Sequence, residues 1–170
     1  MEEIYIHYGS DHFSPTRFKE ITNSPRGWNK PIGGLWASPK PTPSHSDEFY
    51  YTSLWKDWCL YNDYKVDRLE KSFEFTLAKN SKVLYLNDVI KFNDSNWIFN
   101  DESLKSCIEI KFPGALPSIL STSIYMDFEL LKKRNYDAIY VAIDDDFYYP
   151  LYGWDVDSLL VMNPNCIVER

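Results

Sequence analysis

Ile4-Tyr5-Ile6-His7-Tyr8-Gly9-Ser10 is a run of β-branched and aromatic residues stopped by a glycine-serine turn, the pattern of a short strand. Working outward, Gly34-Leu35-Trp36-Ala37-Ser38 reads as a second strand, reached through a loop over residues 22–33 that holds Pro25, Gly27, Pro31 and Gly33. Ser72 to Leu77 alternates polar with apolar through Phe73, Phe75 and Leu77, and Val83 to Leu86 is a short apolar run, so both are predicted strands. Asp137 to Ile143, Leu159 to Met162 and Cys166 to Val168 are further aliphatic runs of strand length.

Helical spacing is rarer. Tyr51, Leu54, Trp55 and Trp58 recur at intervals of three and four, which predicts one helix with a heavily aromatic face and favours a core position for Trp55 and Trp58. Ser123 to Arg134 carries Ile124, Phe128 and Leu131 at the same spacing, with Lys132, Lys133 and Arg134 where the helix dipole favours cations, and reads as a second helix. Pro39, Pro41 and Pro43 predict an extended or mobile stretch over 39–47, and residues 93–122 read as loop-rich with one short helix. Strands outnumber helices, helices do not alternate regularly with them, and no repeat is visible, so the expected class is α+β in one domain over 1–170.

Composition narrows the function. Aromatic residues make up 17% of the 170, with 13 Tyr and 6 Trp, more than a core of this size needs, so flat rings are expected to line a ligand wall. A net charge of −7 without a basic stripe argues against a nucleic-acid partner, because duplex binding draws on Lys and Arg at phosphates. Cys59, Cys107 and Cys166 are odd in number and lack C-x-x-C spacing, which signals neither a disulfide framework nor a zinc site and fits a reducing cytoplasm. No basic leader and no apolar run of spanning length is present, so no membrane association is expected. Asp144-Asp145-Asp146 lacks the alternating oxygen ligands of a calcium loop and reads as a solvated turn; no metal is expected. His12 and His45 fall in polar loops and read as surface residues, and neither Gly9-Ser10 nor Cys59 has the context of a hydrolase nucleophile.

Three segments taken in order carry a sharper signal. They are Ile6-His7-Tyr8-Gly9-Ser10, Lys30-Pro31-Ile32-Gly33-Gly34-Leu35-Trp36-Ala37-Ser38, and Tyr152-Gly153-Trp154-Asp155-Val156-Asp157-Ser158-Leu159-Leu160-Val161-Met162-Asn163-Pro164. Together they resemble the ADP-ribosyltransferase superfamily, which holds the diphtheria toxin-like and poly(ADP-ribose) polymerase-like enzymes and small bacterial and phage members. The resemblance implies a split β-sheet core with a few flanking helices, NAD+ as substrate without a metal, and transfer of ADP-ribose to a macromolecule; the acidity of the chain points to a protein acceptor rather than nucleic acid. In the first segment it assigns His7 or Tyr8 to the nicotinamide ribose and Gly9 with Ser10 to the carboxamide. In the second it sets Gly34, Leu35, Trp36 and Ser38 beneath the nicotinamide ring. The family's catalytic glutamate falls near Ser158, so the carboxylate role passes to Asp155 or Asp157. An alternative follows from that departure: a weak or inactive relative that acts as a nucleotide- or protein-binding inhibitor.

The chemistry explains the residue types. Breaking the nicotinamide glycosidic bond builds oxocarbenium character on the ribose, which a carboxylate near the 2′-OH stabilises. A planar amide is held best by backbone groups at a glycine, and Trp36 offers a flat wall. If Asp155 and Asp157 lie in a strand, its period of two puts both on one face. The plainer alternatives are a hydrogen-bonded strand histidine at His7, core packing at Trp36, and turn or strand-edge acids at Asp155 and Asp157.

Overall fold

A computed structural model of the chain describes residues 3–26, 29–41, 53–93, 96–112, 122–151 and 153–170. In chain order the elements are β1 (Tyr5–Tyr8), β2 (Leu35–Pro39), α1 (Leu54–Tyr61), β3 (Ser72–Leu77), β4 (Val83–Tyr85), α2 (Leu86–Val89), β5 (Ile90–Asn93) and β6 (Asn96–Phe99). They continue as β7 (Ile108–Lys111), β8 (Ser123–Met126), α3 (Phe128–Lys133), β9 (Ala138–Val141), β10 (Ser158–Val161) and β11 (Ile167–Glu169), with short 3-10 turns between. The fold is α+β, mostly sheet with few helices.

Seven strands form the main sheet in the order β11-β3-β1-β2-β10-β9-β4, every pair antiparallel except β4 with β9. Alternation sorts the central strands between two cores. Leu160, Ile139 and Val141 join one core, covered by α2, α3 and the hairpins β5-β6 and β7-β8. Leu159, Val161 and Ala138 join the other, where the sheet curls so that they pack with Tyr5, Phe73 and Phe75 from β1 and β3. β10 is therefore buried on both faces, which is why its sequence after Ser158 is apolar.

Strand β2 is shared between two partners along its length. Leu35, Trp36 and Ala37 pair with Val161, Leu160 and Leu159 of β10, while only Ser38 and Pro39 pair with Ile6 and Tyr5 of β1. The β1-β2 ladder thus covers two residue pairs before the strands part, and the opening lies at His7 and Tyr8.

Two expectations are corrected. Ser123 to Arg134 is a strand followed by a helix: Ile124 and Met126 are buried, β8 pairs with β7, and Asp127 starts α3 by accepting a 2.9 Å hydrogen bond from Leu130 N–H. The stretch 93–122 holds β6 and β7 as well as a 3-10 turn at Glu102–Leu104, while 113–121 lie outside the described residues. Both errors share a cause: Ile-Tyr and Trp-Ile-Phe runs of four residues fit a helix face or an edge strand equally well, and pairing decides between them. Most of the proline stretch, 42–50, also lies outside the described residues, as do Tyr51 and His45. Among the described residues no helix is long and apolar enough to cross a membrane.

Gly33 and Gly34 deliver the chain into β2 at φ of +85° and +71°. A Cβ at Gly33 would lie 2.3 Å from the Glu20 carbonyl oxygen and 2.8 Å from that of Lys19, both backbone. Gly33→Ala is expected to lose about 1–3 kcal/mol from its backbone conformation alone, and more from the clash. Gly9, with φ +109° and open space around it, supplies the control, since Gly9→Ala carries only the conformational part. Urea midpoints for the two variants check this; a Gly33→Ala midpoint no lower than that of Gly9→Ala would refute it.

Candidate functional site

The opening between β1 and β2 leads into a cavity of about 270 Å³. Its floor is Ile6, His7 and Tyr8 from β1 with Trp36, Ala37 and Ser38 from β2, and Ser158 from β10. Helix α1 closes one side with Trp55 and Cys59, the turn after it contributes Tyr64, Lys65, Arg68 and Leu69, and the segment before β10 adds Gly153 and Asp155. Lys30 completes the wall.

His7 occupies the gap itself. Its Nδ1 lies 2.7 Å from the Trp36 carbonyl oxygen, an acceptor only, so Nδ1 carries the proton and Nε2 the lone pair. Burial pushes the imidazole below its ordinary pKa, against the opposing effect of the hydrogen bond to Trp36. Phe73 lies against the ring at 5.2 Å. Tyr8 is oriented from the other side, where Ser53 Oγ donates to its hydroxyl at 3.1 Å. Ser53 is also the N-cap of α1 and accepts from Lys56 N–H, so one serine both starts the helix and ties it to β1.

Tyr8, Trp36, Trp55 and Tyr64 are the aromatic residues among the described lining. Trp36 meets Trp154 edge to face at 4.6 Å, and the Lys30 ammonium sits 4.6 Å from the Trp36 ring centre, so both tryptophan and lysine engage that ring. Trp55 stacks on Trp58 at 5.2 Å with Tyr64 edge-on to both. Trp55 and Trp58 are half-buried, correcting their expected place in the core, and Trp55 is part of the cavity wall.

Asp155 and Asp157 separate. Both precede β10, which begins at Ser158, so strand alternation does not place them on one face. Asp155 lines the cavity. The Asp157 carboxylate instead accepts a 2.7 Å hydrogen bond from Ile143 N–H, fastening the end of the β9 segment to β10. Ser158 Oγ donates to the Val156 carbonyl at 2.6 Å, closing a turn beneath Asp155. Burial pushes the Lys30 amine below its ordinary pKa, with Asp155 acting in the opposite sense.

Of the residues singled out in the sequence, His7, Tyr8, Trp36, Ser38 and Asp155 meet in this cavity. Ser10, Gly34 and Leu35 line a second cavity of about 230 Å³ with His12, Phe13, Arg17 and Lys19, and His7 belongs to both. Gly9 turns the chain out of β1, its N–H donating to Lys71 at 2.8 Å. The Asn-Pro that ends the third motif is structural: Asn163 donates to Asp137 at 2.7 Å and caps the following turn by accepting from Asn165 N–H. Asp144 likewise caps its own turn, accepting from Asp146 and Phe147. Among the described residues no group of three or more His, Cys, Asp or Glu is arranged to hold a metal.

Sequence reasoning missed Lys30, Tyr64, Lys65 and Arg68 as cavity residues and Cys59 as a wall. Lys30 stood inside the second motif, where a position before a proline gives no hint of its direction. Lys65 adopts φ +46° and Asp63 φ +50°, a left-handed turn without glycine that nothing local announces. Burial pushes the Cys59 thiol above its ordinary pKa, which disfavours the thiolate.

The half-buried His7, its pKa lowered by desolvation, makes stability depend on pH. Its folded pKa lies below about 6.5, the value it regains on unfolding, so between the two the unfolded chain binds the extra proton. Stability is therefore fully present above the unfolded pKa and falls as pH drops toward the folded one. His7→Asn is expected to flatten this acid limb, whose slope for one proton is at most about 1.4 kcal/mol per pH unit. Urea midpoints between about pH 5 and 8 for both proteins test it, and parallel curves would remove His7 as the cause.

Comparisons of this chain with family models, with characterised proteins and with solved structures give no match.

Proposed function

We propose that the protein binds NAD+ and transfers its ADP-ribose to a protein acceptor, with Asp155 as the carboxylate at the reacting sugar. The observation that carries the reading is the meeting of Asp155, from near the C-terminus, with His7, Tyr8, Trp36 and Ser38 around one cavity. These residues come from the three segments that resemble the ADP-ribosyltransferase superfamily, in which the first strand and a late acid face one sugar.

The lining suits the parts of a dinucleotide. Trp36, Trp55, Tyr64 and Tyr8 supply flat walls for a pyridine ring, and Lys65 with Arg68 supplies cations for a pyrophosphate. The cavity is slightly below the usual range of ligand sites, about 300–1,000 Å³, so it fits one half of a dinucleotide rather than the whole. The second cavity, sharing His7 and lined by Phe13, Phe18, Arg17 and Lys19, offers aromatic and cationic groups for the other half.

In the reaction the bond from ribose C1′ to the pyridinium nitrogen breaks, and nicotinamide leaves with the electron pair as a neutral molecule. Positive charge develops on C1′ and the ring oxygen, and the Asp155 carboxylate stabilises it. The acceptor heteroatom then bonds to C1′ and its proton passes to solvent or to a carboxylate. A base at the acceptor is not required for a nucleophile already ionised.

A second reading has its own observation. The family's glutamate falls near Ser158, whose hydroxyl is engaged with Val156, and the neighbouring Asp157 is engaged with Ile143. Without an acid at that place, the protein would hold a nucleotide or a protein segment without turning it over.

Incubation with NAD+ and cell lysate, read by mass spectrometry, separates the two. The transferase reading expects an ADP-ribose adduct on a protein and a loss of at least about 100-fold in Asp155→Asn. Asp157→Asn keeps an oxygen acceptor for Ile143 and is expected to retain activity within about threefold. Saturable NAD+ binding with neither adduct nor nicotinamide release would leave the binding-module reading standing alone.

A further inference from the structure

The segment that carries Asp155 has no regular structure of its own, yet it approaches the cavity from a fixed direction. Pro150, Gly153 and Trp154, on the way from a turn into β10, are held by a dipeptide from near the N-terminus, Asn29-Lys30. The Asn29 side-chain amide donates to the Ile124 and Pro150 carbonyls, both at 2.8 Å. The Asn29 carbonyl oxygen faces Trp154 Nε1 at 3.5 Å. Lys30 Nζ donates to the Gly153 carbonyl at 2.8 Å, while its ammonium lies over Trp36. Gly153 takes φ +91°, and a Cβ there would lie 3.7 Å from Lys30 Cδ.

On the transferase reading of this cavity, we propose that Lys30 is the positioning residue of Asp155. Its ammonium fastens the backbone two residues before the acid to the face of Trp36, so the floor of the cavity and the carboxylate above it are set by one side chain. Asn29 fixes the base of the segment and Lys30 fixes its tip. Lysine suits this place because an ammonium can donate to a carbonyl and interact with a ring face at once, on a stem long enough to cross the cavity wall. Burial disfavours the charged form of that amine, and the Asp155 carboxylate acts the other way, favouring it.

A residue that only stabilised the fold would lower binding, turnover and melting temperature together. A positioning residue acts on turnover, because a small displacement of a catalytic group costs rate long before it costs affinity. Lys30→Met keeps the length and removes the charge and the donor; Lys30→Arg keeps both. Nicotinamide release by Lys30→Met is expected to fall in kcat by about 10- to 100-fold with KM for NAD+ within about threefold, and Lys30→Arg is expected to recover most of the loss.

Amide hydrogen exchange without NAD+ reads the positioning directly and does not need activity. Exchange at Trp154 to Asp157 is expected to rise at least about 10-fold in Lys30→Met, while Leu159 to Val161 in β10 stay protected and Lys30→Arg stays near the wild type. Unchanged exchange at Trp154 to Asp157, or a rise that spreads through β10, overturns the proposal. If the wild type releases no nicotinamide but the exchange difference is present, the transferase reading has failed and the anchoring by Lys30 has not.

Discussion

The structure turns on the hydrogen bond from the His7 imidazole to the Trp36 carbonyl. Where the β1-β2 ladder stops after Ile6 and Ser38, the backbone of β2 still presents a carbonyl toward β1. An acceptor left unmatched at a half-buried place costs about 1–3 kcal/mol, which would normally pull the strands together. An imidazole reaches farther than a backbone amide, so His7 satisfies that carbonyl while the strands stay apart. The cavity exists because a side chain replaces a rung of the ladder.

That substitution fixes much else. The proton on Nδ1 sets which nitrogen is left as an acceptor, and burial keeps the ring neutral, so the gap holds a polar group without a charge. Among the described lining residues the charges are Lys30, Lys65 and Arg68 with one acid, Asp155. The chain as a whole carries −7, yet the described lining of this cavity holds more cations than anions. Net charge describes what the outer surface repels; it says little about a pocket walled off by aromatic rings.

How far the sequence could be read depends on the range of the interaction concerned. The strands β1, β2, β3, β9 and β10 were legible because burial on one or both faces writes its period or its apolar run directly into four to six residues. β8 was not, since Ile124 and Phe128 lie four apart by coincidence of a strand meeting a helix, and only the Asp127 cap marks the break. Asp155 and Asp157 look equivalent in sequence. What tells them apart is the Ile143 amide, fourteen residues away, which one carboxylate meets and the other does not. Trp55 shows the same limit, because a tryptophan at helical spacing belongs equally to a core and to a wall that a cleft happens to expose.

The turn after α1 shows where strain enters. Asp63 and Lys65 both adopt left-handed backbone, a conformation costing non-glycine residues roughly 1–2 kcal/mol apiece. The surroundings hold them there: Tyr64 N–H donates to the Cys59 carbonyl at 2.9 Å, Arg68 N–H to the Lys65 carbonyl at 3.0 Å, and the Tyr64 ring packs edge-on against Trp55 and Trp58. Glycine at 65 would relieve the backbone but remove a cavity side chain, and an ordinary turn would send Tyr64 and Lys65 elsewhere. The tryptophan stack therefore acts at one remove. It is the support against which a strained turn is held, and the strained turn is what faces a ring and a cation toward the same opening that His7 keeps between the strands.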